Sequence, residues 1–233
     1  RPGGANRRGT FAPYESDNLF NYELGWKSTW LDNRVRFNGA VFYQDWQDFQ
    51  FSFLGSNGLT NIVNAGSAEI KGVEADFSWA ASDRLLLGGS VTFLDTKLTE
   101  DFCENLDTTG LPLPPDQCDP VSFAPSGTEL PIAAQFKGNL IARYSFPLGT
   151  FDAHLQGAYA YESERRSALL PADEASVGGP NRAYGVADFS FGLGKDSYSL
   201  ELFIDNAFDE RADIARFAQC DEQICTHPYI ITN

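Results

Sequence analysis

The stretch from Phe20 to Gln44, FNYELGWKSTWLDNRVRFNGAVFYQ, decides the fold. Phe20, Tyr22, Leu24, Trp26 and Trp30 recur at alternate positions, broken only by Ser28, while Asn21, Glu23, Gly25, Lys27 and Thr29 lie between them. After Leu31-Asp32-Asn33 the pattern resumes, with Val35, Phe37, Gly39, Val41 and Tyr43 opposing Arg34, Arg36, Asn38 and Gln44. A period of two marks a strand with unlike faces, and Asp-Asn between two such runs marks a tight turn. Each apolar face runs about 9–11 residues, the span a tilted strand needs to cross a bilayer.

The same alternation recurs along the chain in Val73–Trp79, Leu85–Phe93, Phe136–Phe146, Phe151–Tyr161, Ala183–Leu193 and Tyr198–Ile204, so about eight strands are predicted. Charged residues sit on the polar sides: Glu23, Lys27, Arg36, Glu74, Asp76, Lys137, Arg143 and Glu201. The connections alternate in length. Turns after the first, third, fifth and seventh strands are tight, and the others are longer, notably Leu98 to Pro131, Ser167 to Pro180 and Asp209 to Thr226. An up-and-down meander puts every second connection at the same end, and a transmembrane β-barrel has short periplasmic turns and long extracellular loops. Aromatic residues Trp30, Trp79, Tyr144, Phe146, Phe151 and Tyr198 collect beside the short turns, as expected of an interfacial girdle. The predicted fold is all-β: an antiparallel up-and-down transmembrane β-barrel. Lipid does not tolerate open sheet edges, so the barrel requires strands beyond residues 1–233. Arg1-Pro2-Gly3-Gly4 reads as the middle of a loop, and the chain is taken as part of a longer precursor.

The 233 residues carry a net charge of −15, which argues against a nucleic-acid partner because phosphate binding needs a basic surface. A solvated acidic surface explains this charge; divalent ions shared with lipopolysaccharide are the alternative. Cys103 with Cys118 and Cys220 with Cys225 each fall within one long connection. Two loop disulfides formed in an oxidising compartment are predicted; a metal site is the alternative, but neither pair has the close spacing of zinc ligands. The acids between Asp101 and Asp119 supply oxygen ligands of the kind calcium takes, at a spacing that fits no known calcium loop. No catalytic motif occurs, and the only histidines are His154 and His227; no enzyme activity and no cofactor are expected.

Several phrases resemble the C-terminal barrel half of TonB-dependent outer-membrane receptors. Asn21-Tyr22-Glu23-Leu24-Gly25-Trp26-Lys27-Ser28 looks like one of that family's strands. Trp30-Leu31-Asp32-Asn33-Arg34 and Val41 to Asp48 are similar to the hairpin that follows it. Asn64 to Glu74 and Asp205-Asn206-Ala207-Phe208-Asp209 resemble later strands in the family's order. The resemblance implies a 22-stranded barrel of which these residues form about eight strands, with a plug domain and a TonB-interacting segment upstream. It also implies residence in a Gram-negative outer membrane, contact with lipid and lipopolysaccharide, and TonB-energised uptake of a scarce ligand: a ferric siderophore, a vitamin or an oligosaccharide. A passive porin-like channel, a structural barrel within a larger cell-surface complex and a soluble β-sandwich are the rival classes.

Ligand recognition is expected on the long connections. Arg165 and Arg166, above Tyr161 at the end of the sixth strand, are candidates for an anionic ligand, with lipopolysaccharide phosphate or plain solvation as alternatives. Trp46 opens an aromatic extension with Phe49, Phe51 and Phe53 that exceeds what the bilayer needs; it reads either as upper-barrel packing or as a stacking platform for a ligand.

Overall fold

A computed structural model describes residues 1–6, 12–54, 60–108, 111–218 and 230–232, with backbone only at 53, 54, 60, 218 and 230–232. Eight long strands form one antiparallel sheet. They are β1 (Asn18–Trp30), β2 (Val35–Gln47), β5 (Ala68–Ala80), β6 (Leu85–Leu98), β9 (Phe136–Leu148), β10 (Phe151–Glu162), β11 (Tyr184–Lys195) and β12 (Tyr198–Ile204). Their spatial order is their order in the chain. Shorter strands decorate the long connections as two-stranded ribbons: β3 (Gln50–Leu54) with β4 (Thr60–Asn64), β7 (Phe102–Cys103) with β8 (Phe123–Ala124), and β13 (Arg216–Ala218) with β14 (Ile230–Thr232). A six-residue helix, α1 (Pro171–Ser176), sits between β10 and β11.

The short turns owe their tightness to residues that accept a left-handed backbone. Leu31, Asp32 and Asn33 have φ of 54°, 53° and 67°, Gly149 has 63° and Asp196 has 52°; Asn, Asp and Gly bear this conformation most readily. In the β5–β6 turn the Ser82 hydroxyl accepts hydrogen bonds from the Arg84 and Leu85 amides.

The register keeps the two faces separate across the sheet. Leu24 is opposite Val41, Val41 opposite Val73, Val73 opposite Phe93, and Phe93 opposite Phe136. A slip of one residue in any pair would turn its apolar set to the polar side. Leu24 is 71% exposed and Tyr198 84%, and Leu155, Leu200 and Leu202 are also exposed. No second layer covers this face among the described residues. A contiguous apolar surface of this kind is a site of contact, not an ordinary solvated surface.

Strands extend further at the long-connection end than the alternation alone indicates. β5 begins at Ala68 instead of Val73, and β6 runs on to Leu98. Here both parities turn apolar: Trp46 is opposite Ala68 and Ala68 opposite Leu98, on the same side as Asn38 and Asp76. Strands that are apolar on both faces are covered on both, and the covering is supplied by the connections. Phe49, Val63, Ala65, Ala68, Leu98, Phe102, Ala124, Leu130, Leu169 and Leu170 form the buried core, with Trp46, Phe51 and Ile70 packed against it.

Candidate functional site: the polar face and the loop layer

Two layers carry the polar chemistry. The first is the polar face of the sheet. Lys27, Asn38, Asp76, Ser90 and Asn139 stand side by side across β1, β2, β5, β6 and β9. Asn38 donates to the Asp76 carboxylate at 3.0 Å, and Asn139 to the Ser90 hydroxyl at 2.6 Å. One row above, Glu74, Thr92, Lys137, Glu162 and Tyr184 are in register. The Lys137 ammonium lies 3.3 Å from Glu162, and the Tyr184 hydroxyl donates to the same carboxylate at 3.4 Å. Curvature makes this face a groove of about 620 Å³ along β1 to β6, where Glu23, Lys27, Glu74 and Asp76 supply the charges. The eight charged residues predicted to share a face do so.

The second layer is the folded mass of long connections. Its hydrogen bonds run between connections as well as within them. The Thr99 amide donates to the Ser67 carbonyl at 2.8 Å, Leu98 to Thr128 at 2.9 Å, and Ile132 to the Arg166 carbonyl at 2.8 Å. Buried Glu174, on α1, accepts the Ser167 and Ala168 amides at 2.9 and 2.7 Å. Buried Asn181 donates to the Ser167 hydroxyl at 2.6 Å. The segment ahead of β1 joins through Asp17, which is buried and accepts from the Arg1 guanidinium and, at 3.1 Å, from the Trp46 indole. Burial opposes ionisation of Asp17, but these donors outweigh it and hold the carboxyl well below the usual carboxylate range.

The four predicted ligand residues are not brought together. Trp46 lies on the polar side, its ring 4.6 Å from that of Phe49 and stacked beneath the Arg1 guanidinium at 5.3 Å. Tyr161 projects to the apolar side, opposite Gly138 and Gly185, with its ring 6.0 Å from Phe136. Arg165 is buried. It pairs with Glu162, and its Nε donates to the Ile214 carbonyl at 3.0 Å, while its backbone bridges to Asn181. It therefore ties the end of β10 to the segments before β11 and after β12. Arg166 is half-buried, and among the described residues its guanidinium makes one long hydrogen bond, to the Leu169 carbonyl at 3.4 Å. Of the aromatic extension, Phe49 and Phe51 belong to the loop core, and the Phe53 side chain lies outside the described residues.

Of the girdle residues, Trp30, Trp79, Tyr144, Phe151 and Tyr198 are exposed and Phe146 is half-buried. At the opposite end the apolar face gives way to charge. Glu69 pairs with Lys71 at 2.8 Å and Lys97 at 2.9 Å, and the Lys71 ammonium lies over the Tyr43 ring. Cys103 and Cys118 are disulfide-bonded; Cys220, Cys225 and His227 lie outside the described residues. Three acids of this connection serve its backbone. Asp101 accepts the Ser126 amide, Asp107 that of Leu111 and Asp119 that of Val121. Among the described residues no cluster of His, Cys, Asp and Glu is arranged to hold a metal.

Sequence reasoning missed Phe102, Glu174 and Asn181. Their signal was indirect: Trp46, Ala68, Ile70 and Leu98 are apolar where the strand pattern calls for polar residues, which announces a covering layer without saying what covers.

The family described as TonB dependent receptor-like, beta-barrel matches residues 1–207. The chain belongs to that family. This receptor barrel is also similar in fold to three solved receptors. The ferric yersiniabactin uptake receptor FyuA from Yersinia pestis matches with a TM-score of 0.68 at 16% identity, over 100% of this chain and 31% of that one. The siderophore receptor PiuA from Acinetobacter baumannii gives 0.62 at 18%, over 98% and 28%. BauA, the ferric preacinetobactin receptor from the same organism, gives 0.61 at 13%, over 98% and 30%. The chain thus spans less than a third of the length of these receptors, and at such identities the likeness is one of fold. The family and these neighbours are receptors, not enzymes.

Proposed function

We propose that residues 1–233 are the C-terminal part of the barrel of an outer-membrane receptor that takes up a ferric siderophore with energy supplied through TonB. The observation that carries this reading is the family match over residues 1–207, on a sheet whose apolar face exposes large side chains on every long strand. β1 and β12 each pair on one side only, and an open edge in lipid leaves backbone groups unsatisfied. Further strands, 22 in all, close the barrel, with the plug on the polar face and TonB engaging a region outside these residues. The short turns face the periplasm, with the aromatic girdle at headgroup level. The long connections face outward, above a charged row at Glu69, Lys71 and Lys97 that meets the lipopolysaccharide headgroups. The ligand class follows the neighbours: the ferric yersiniabactin uptake receptor, the ferric preacinetobactin receptor and the siderophore receptor PiuA. Arg166, with most of its donors uncommitted among the described residues, is a residue of the loop layer suited to an anionic chelate.

The test is uptake of radiolabelled ferric siderophores by iron-limited cells carrying the full-length gene, with and without TonB. Accumulation that disappears with TonB is expected. Equal accumulation in both strains would overturn active transport in favour of a passive channel, and absence of accumulation across siderophore classes would overturn the ligand class.

A further inference from the structure

We infer that the long connections form one cooperative cap over the upper polar face, not a set of independent arms, and that Phe102 beside the Cys103–Cys118 disulfide keys the cap together. The first ground is how the core is shared. It draws Phe49 and Val63 from the β2–β5 connection, Phe102 and Leu130 from the β6–β9 connection, and Leu169 and Leu170 from the β10–β11 connection. None of these segments contributes enough buried apolar residues to fold on its own; each completes the core of the others. Elements that share a core open together, because releasing one exposes the apolar surface of the rest.

The second ground is a line of rings crossing the layer. Phe102 is 2% exposed and meets Phe51 edge-on at 6.0 Å; Phe51 lies 6.2 Å from Phe49, and Phe49 lies 4.6 Å from Trp46, which projects from β2. The cap is thereby anchored on the sheet itself. The third ground is the backbone hydrogen bonding between connections described above, together with the Arg216 amide donating to Ser167 at 3.0 Å, which brings in the segment after β12.

Phe102 occupies the keystone position because it is fixed from both sides. It pairs with Ala124 in the β7–β8 ribbon, and its neighbour Cys103 is bonded to Cys118. The disulfide restricts the connection just where its buried ring enters the shared core.

Hydrogen exchange on the full-length receptor in detergent micelles tests the inference. Phe102→Ala should accelerate exchange roughly a hundredfold or more, the scale set by deleting a buried ring. The rise should appear in three places at once: the β2–β5, β6–β9 and β10–β11 connections, with the amides of β9 to β11 unchanged. Acceleration confined to the β6–β9 connection would overturn the cap. The Cys103→Ala/Cys118→Ala double variant should loosen the same three connections together to a smaller extent, and loosening of its own connection alone would overturn the role given to the disulfide. Should either variant fail to fold, the wild-type receptor in graded urea decides the matter: a common urea dependence for the three connections is expected, and three separate dependences overturn the cap.

Discussion

Arg165 and Glu162 form an ion pair at the point where β10 leaves the sheet, with both side chains largely withdrawn from solvent. The same guanidinium holds the Ile214 carbonyl, so Arg165 is a tether between two connections. Removing Arg165 leaves Glu162 to Lys137 and Tyr184 and frees the Ile214 carbonyl, so the cost should fall below the roughly 3–5 kcal/mol of stranding a buried charge outright. Arg165→Ala is therefore expected to lower the thermal stability of the full-length receptor and expose the segment around Ile214 to protease, with partial recovery in Arg165→Lys. Arg166→Ala should leave both readouts near wild type and reduce siderophore affinity. Equal stability of the two variants would remove the tether.

Gly72 lies under the Phe42 ring on the polar face; a Cβ there would stand 2.2 Å from the ring. Gly72→Ala should destabilise the receptor by about 1–3 kcal/mol through overpacking. Combined with Phe42→Ala, the loss should be less than the sum of the single losses. Urea midpoints for the four proteins measure the coupling; strict additivity would contradict the contact.

Asp17 gives the loop layer a pH dependence with a definite sign. Its folded pKa lies below the ordinary aspartate value of 3.8, so its contribution to stability is fully present above that value and is lost as pH falls beneath it toward the folded pKa. Protection of the segment ahead of β1 should be constant from neutral pH down to about pH 5 and should decline below about pH 4. Asp17→Asn should weaken protection at neutral pH and flatten this decline. An unchanged acid profile in the variant would refute the assignment.

Val91 and Thr92 are neighbours on opposite faces of β6. Val91 is exposed among Ala75 and Gly138, while Thr92 lines the groove. Val91→Arg should cost about 2–4 kcal/mol in a bilayer, the figure for an arginine at the lipid midplane of a barrel. Thr92→Arg should cost far less. Refolding equilibria in lipid vesicles compare them, and similar costs would mean that the apolar face does not meet lipid.

The cysteines make a simple count. With Cys103 and Cys118 bonded and a second link proposed between Cys220 and Cys225, denatured but unreduced protein should take up no alkylating reagent on these four residues. Two modified residues, mapped to Cys220 and Cys225, would exclude the second link.

The sheet was readable because it rests on a period that burial imposes locally. The alternation from Phe20 to Tyr43 places each side chain on its face, and the turn chemistry of Asp32 and Asn33 sets the register of the first hairpin. The loop layer was not readable, because its contacts are long-range and follow no period. Nothing in the order of residues joins Phe102 to Phe51, or Arg165 to Ile214. Tyr161 is instructive in another way. Its position in the alternation already assigns it to the apolar face with Tyr159, and only its closeness in sequence to Arg165 suggested a ligand role. In a strand, neighbours along the chain point apart.

The two layers differ in what they allow evolution to alter. Each long strand pairs only with the strands next to it in the chain, so a hairpin of this sheet is a unit that duplication or deletion could add or excise while its neighbours rejoin in register. The roof above them has no such seams. Excising β5 and β6 with their flanking connections would spare the pairing rules of the wall, yet it would take Ala65, Leu98 and Phe102 from a core that the remaining connections need. Removing a hairpin from this chain would thus leave the wall able to pair and the roof short of core residues.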